Sequence, residues 1–262
     1  NPDLEEDGWQ STHTVIAVLH QNIPFLVDSI RMALNERELT VHSIQHAVFE
    51  LDRDRSGNLK KLLPRNPSVQ SKKSESLMFI EVDRHSEAAN LEELKAALET
   101  VIEEVRVAVD DYEGMRDSAE GLIKEFSQLP KSFSDADAAE ASEFIKWMVA
   151  DHFTFLGSVE YAYKRTDSDI TLEVVKDSQK GIMKSHTESH HRFKLSDLPK
   201  RTQEHILKPD IFTFAKSSER SRVHRPAYPD YISVKKFNKK GEVVGERRFL
   251  GLYTAKVYNE RP

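Results

Sequence analysis

The 262 residues contain no cysteine, which removes disulfides, thiol chemistry and thiolate-based zinc sites from consideration. No apolar run reaches the length that crosses a bilayer, and no signal-peptide pattern opens the chain. A cytoplasmic protein without a membrane partner is the expectation. Glycine is scarce, at 9 residues. Gly241, Gly245 and Gly251 do not form G-x-G-x-x-G, and no Gly-Lys-Ser/Thr completes a P-loop, so no nucleotide site is expected here. No Ser-His-Asp order or other catalytic constellation can be recognised by spacing, so the chain is not expected to be an enzyme by itself. Apolar residues are also few, at 38%, against 31% charged. Charged helices and solvated loops fit that balance better than one large core. The chain starts at Asn1 rather than Met and ends directly after a strand-like run, as an excised piece of something longer would.

Charge is unevenly placed. Residues 1–178 carry 19 Lys and Arg against 35 Asp and Glu, and residues 179–262 carry 19 against 9. Such asymmetry reads as docking within the chain or between subunits, or as a basic part that meets an anionic partner.

The most informative stretch runs from His13 to Ile44. His13 to Leu19 alternates, with Val15, Ala17 and Leu19 on one face and Ile16 and Val18 on the other, so both faces of this strand read as buried. Gln21 and Asn22 break the run, Asn22 reads as a helix N-cap, and Pro24 falls in the first turn. Leu26, Ile30 and Leu34 form an apolar stripe at helical spacing. The short loop therefore leaves backbone N–H groups at the positive end of a helix, a setting that receives a carboxylate or phosphate.

Further strands are expected at 39–51, 59–63 and 77–82. Asn90 then caps a helix to about Tyr112, whose Leu91, Leu94, Leu98, Val101, Val105 and Ala108 make a heptad-like seam. A first module over 10–112, a partly helical linker over 113–134 and a second module over 135–262 follow from this pattern. The second module opens with a helix capped by Asp135 or Asp137. Strands at 153–163, 171–175, 211–216, 231–237 and 243–253 follow, with a helix at 195–207 and a hairpin turn at 238–241.

The segment Asn22-Ile23-Pro24-Phe25-Leu26-Val27 resembles the ligand loop of an ACT domain, a βαββαβ module that senses amino acids, with Phe25 where that pattern has Gly. IPFLVDSIRMALNERELTVH, SESLMFIEVDR, DHFTFLG, RSRVHRPAYPDYISVKKF and GEVVGERRFLGLYT resemble, in that order, the N-terminal region of the large bacterial NAD-specific glutamate dehydrogenases. The resemblance implies an α+β fold: an ACT-like, ferredoxin-like βαββαβ domain followed by a second, divergent ACT-like domain. It implies a parent enzyme that oxidises glutamate to 2-oxoglutarate and ammonia with NAD, its catalytic and NAD domains lying outside this segment. No cofactor or metal is expected in these residues, only in the parent. The expected partners are the rest of the dehydrogenase chain, further copies in a homo-oligomer, and an amino-acid effector.

An effector would meet His20, Gln21, Asn22, Ile23, Pro24, Phe25 and Leu26. Against sensing stands a purely structural assembly role, toward which Phe25 tilts the reading. A second candidate is Arg220, Arg222 and His224 with Arg225 following. In a strand the first three share a face and, with Lys216, would clamp an anion. The bland alternative is a set of ion pairs to acidic residues of the other module or of a neighbouring subunit. His186, His190 and His191 read as a solvated loop rather than metal ligands. Nucleic-acid binding is not expected, because the motif of RNA-recognition sheets does not occur and the chain is acidic overall.

Overall fold

The computed structural model describes residues 1–64, 74–185 and 192–258. It divides into two compact units, Asn1–Val105 with Arg222–Arg225, and Arg106–Ser221 with Pro226–Pro262. The His186, His190 and His191 run lies outside the described residues. Among the described residues no helix is long and apolar enough to cross a membrane.

The first unit contains β1 (Thr14–Gln21), α1 (Leu26–Glu36), β2 (Val41–Arg53), β3 (Leu59–Leu63), β4 (Ser74–Val82) and the start of α2 (Ala88–Asp110). The strands form one antiparallel sheet in the order β1-β4-β2-β3. Period-two alternation aims Val18, Met78, Ile80 and Val82 at the helices. There they meet Leu26, Ile30 and Leu34 of α1 and Leu94, Leu98 and Val101 of α2. Ile30, Leu34 and Met78 are fully buried, each contributing about 2 kcal/mol by removal from water. The seam of α2 thus packs on its own sheet.

Three local expectations are corrected. Asn22 does not cap α1: its backbone N–H donates to Ser74 O at 2.9 Å, while Phe25 stands at the cap in the left-handed region. Asn90 lies inside α2, which begins at Ala88. The outward face of β1 is not buried, since Ala17 is exposed and Leu19 is 54% exposed. Alternation identifies an apolar face but not what covers it. The succession also departs from βαββαβ, because α2 is followed by a helix rather than a strand.

The second unit opens on the last turn of α2, followed by α3 (Tyr112–Phe126) and α4 (Asp135–Trp147), so the residues expected as a partly helical linker carry a full helix. Met115, Leu122 and Phe126 of α3 join Ile145, Phe155, Ile232, Val234 and Phe249 in one core. Here α4 is capped not by Asp135 but by Ser134. Its side chain accepts from Asp137 N–H while Asp137 accepts from Ser134 N–H, a capping box.

The strands are β5 (Phe153–Arg165), β6 (Ile170–Val174), β7 (Lys180–Gly181), β8 (Arg192–Lys194), β9 (Phe212–Lys216), β10 (Asp230–Phe237) and β11 (Val243–Tyr253). They form an antiparallel sheet ordered β8-β6-β5-β11-β10-β9, with β7 paired to β5. Its second face packs Val159, Tyr161, Leu172 and Leu250 on Met183, Leu195 and Ile206, the last from α5 (Lys200–Leu207). The helix expected at 195–207 is a short 3-10 turn followed by α5. At the β5–β11 bulge a Cβ on Gly251 would lie 2.2 Å from Thr154 O, so only glycine fits. Two helices precede the strands of this half, where the divergent ACT-like mixed α/β module expected here opens with one.

Candidate functional site

The loop from His20 to Leu26 carries the end of β1 into α1. Phe25 has φ 68°, a conformation that a side chain disfavours by roughly 1–2 kcal/mol. That explains why the ACT pattern places Gly here. The strain is held by its surroundings: Phe25 O accepts the N–H of Ser29 at 2.9 Å, and Leu26 behind it is 2% exposed. Asp28, in the first turn, suits the positive end of the helix. His20 and Gln21 point elsewhere. They line an open cleft of about 640 Å³ with Leu19, Leu51, Arg53 and Glu75, the last two joined as an ion pair at 2.6 Å.

The segment Arg222–Arg225 belongs to this same unit and lies against the start of α1. The His224 ring meets the Phe25 ring at 4.5 Å between centroids, and the His224 N–H donates to Ser29 Oγ at 3.1 Å. Ser29 is fully buried, and Val223 is 1% exposed. Arg222 forks onto Glu104 of α2, with Nε 3.0 Å from one carboxylate oxygen and the second nitrogen on the other oxygen. Glu104 is a buried carboxylate, so this pair sits where water screens it little. Burial pushes the His224 imidazole down from its ordinary value, Arg225 adds to that, and Asp28 opposes it. His224 Nδ1 is buried with no hydrogen-bond partner among the described residues.

The two sequence candidates therefore converge in part. Phe25 and Leu26 lie at the α1 start and His224 closes over it, while Arg222 is tied to Glu104 of α2. The strand-face grouping of Arg220, Arg222 and His224 does not form, because 217–229 is an irregular loop in which Ser221 N–H bonds Ala227 O. Arg220 instead lies 5.5 Å from the Tyr228 ring centre, and Lys216 pairs with Asp230 at 2.7 Å. The guanidinium of Arg222 is taken by Glu104. Ser29 and Glu104 were missed. Their signal was available: each is a polar residue beside the apolar stripe of its helix, Ser29 next to Ile30 and Glu104 between Val101 and Ala108. Among the described residues no group of His, Asp and Glu is placed to hold a metal.

A sheet with two helices on one face, and a strand-to-helix loop as its candidate site, is an ACT-like arrangement. Residues 1–98 match the family model described as "Glutamate dehydrogenase, ACT1 domain". The whole chain is 44% identical over 263 residues to the NAD-specific glutamate dehydrogenase of Halomonas elongata, covering 16% of that protein. It is 37% identical over 270 residues to that of Pseudomonas aeruginosa, covering 99% of this chain and 16% of the relative. It is 25% identical over 254 residues to that of Mycobacterium tuberculosis, covering 93% of this chain and 14% of the relative. The chain is an N-terminal, ACT-bearing region of the NAD-specific glutamate dehydrogenase family, and it spans about a sixth of the length of the curated relatives it matches.

Proposed function

We propose that this chain is the non-catalytic regulatory and assembly segment of an NAD-specific glutamate dehydrogenase, cytoplasmic and built from two ACT-like modules, the second divergent. The parent would convert L-glutamate, NAD and water to 2-oxoglutarate, ammonia and NADH, with NAD bound outside these residues. The segment would organise subunits, and through them the state of the enzyme, rather than take part in hydride transfer.

One observation carries the choice of assembly over effector sensing. In a sensor, the backbone N–H groups at the α1 start must meet an effector carboxylate. In this chain the Phe25 side chain stands at that cap, the tilted His224 ring lies against it at 4.5 Å, and the His224 N–H is spent on Ser29. A free amino acid would have to displace Val223 and His224 and forgo their burial. Sensing through this loop would require such an opened state, bound by the effector in preference to the closed one.

Two measurements test the reading. A thermal-shift screen of the 262-residue chain against the standard amino acids, 2-oxoglutarate and NAD should be flat. A concentration-dependent rise with one amino acid would turn the assignment to a sensor, and a rise with NAD would place cofactor binding in this segment. In the full-length enzyme, removal of the segment should change subunit stoichiometry by mass photometry. Unchanged stoichiometry would end the assembly reading.

A further inference from the structure

The sheet of the first unit is apolar on both faces, but its helices lie on only one. Ala17 and Leu19 of β1, Leu77 and Phe79 of β4, and Ala47 and Phe49 of β2 share the other face, as the registers Ala17↔Phe79↔Gln45 and Leu19↔Leu77↔Ala47 require. Leu19 is 54% exposed, Phe79 41% and Phe49 38%. The pattern in β1 is that of a strand buried on both sides, so the sequence supplies an apolar surface that this chain leaves open to water. A contiguous apolar patch of this kind marks an interaction surface.

We propose that this open face is a contact between two copies of the chain, packed sheet on sheet about a two-fold axis. The proposal rests on the assembly reading above and names its surface. Size and charge point to a second copy. Three strands paired over 8 to 9 residues at about 3.3 Å per residue and roughly 4.8 Å apart, with the 5-residue β3 at the edge, present on the order of 500 Å². Two such faces bury about 1,000 Å², the threshold at which a specific interface becomes stable. Identical faces match in length and width by symmetry, and aligned sheets interdigitate at a spacing of about 10 Å. The centre of the face holds no charged side chain. Glu75 lies at one end, neutralised by Arg53, and Glu81 at the other, bonded by Ser11, so a two-fold mate brings no like charges together at the middle.

The test is sedimentation equilibrium of the intact 262-residue protein up to about 100 μM, in the range where a modest interface saturates. A dimer is expected. Phe79→Glu should weaken it by at least ~tenfold, as loss of a central aromatic anchor does. Because Phe79 is half exposed in the single chain, its far-UV circular dichroism and melting as a monomer should not change. Ala17→Lys, with even less side chain to lose, should act in the same direction. Phe214→Glu, an exposed aromatic on the second unit's sheet, should leave the dimer intact. A dimer that survives both Phe79→Glu and Ala17→Lys sinks this face while leaving assembly standing. A chain that stays monomeric throughout also overturns the contact, and the assembly reading is then judged separately by the stoichiometry of the full-length enzyme.

Discussion

Replacing Arg222 with Ala removes the fork that ties Arg222–Arg225 to α2. The Glu104 carboxylate is 11% exposed at its side chain, whereas Arg222 is 52% exposed. Breaking a fully buried pair costs about 3–5 kcal/mol, and an exposed pair contributes less than about 1 kcal/mol. With one partner buried and the other half in water, about 1–3 kcal/mol is expected. At this chain length each kcal/mol corresponds to roughly 2–4 °C in melting temperature. The loss should also be local. The His224 N–H, held by Ser29 Oγ, and the first turn of α1 should lose protection in hydrogen exchange while the β5–β11 core does not change. Glu104→Gln should lose a similar amount, and the double variant should show coupling above about 0.5 kcal/mol, as contacting residues do. An unchanged melting curve together with unchanged exchange at His224 would show that the fork does not hold the segment. The account of a closed α1 start would then fail with it.

Two further predictions concern single groups. The Asp83 carboxyl accepts the Thr40 N–H and faces His42, and the hydrogen bond from Thr40 foremost holds it down to about 2. A depressed folded value contributes stability above the ordinary carboxylate range and loses it as pH falls. Asp83→Asn should therefore destabilise at pH 7 in urea titrations, and the difference should shrink as pH falls from about 4 toward about 2. A pH-independent difference would refute the assignment. The Tyr163 hydroxyl is buried beside the Glu246 carboxylate without a hydrogen bond of ordinary geometry among the described residues, and burial first, then Glu246, raise its ionisation well above the ordinary phenol range. Removing an unsatisfied buried hydroxyl should be neutral or stabilising by up to about 1 kcal/mol. A loss of more than about 1 kcal/mol in Tyr163→Phe would show that the hydroxyl has a bonded role.

Local order was readable where short-range chemistry decides it. Strand β11 begins and ends as its period-two run requires, and the Asn238–Gly241 turn closes through Asn238 N–H to Glu242 O, with Gly241 at φ 83°. Boundaries differ where a distant partner or a slightly longer helix overrides the local signal. Asn22 and Asn90 are good caps by residue type, yet Asn22 N–H is claimed by Ser74, 52 positions away, and α2 begins two residues ahead of Asn90. The candidate site was half readable. The α1 loop follows from its own residues. Its cover does not, because nothing local to Val223 or His224 announces that their neighbours will be Ser29 and Phe25.

The sequence by itself determined the α+β class, the positions of nearly every strand and the apolar stripes of α1 and α2. Each of these depends on side-chain period and turn chemistry within a few residues. The tertiary structure alone decided which apolar faces are covered, which carboxylate receives Arg222, and that His224 closes the start of α1. Those outcomes depend on pairs up to 195 residues apart in the chain, and no local preference encodes such a meeting.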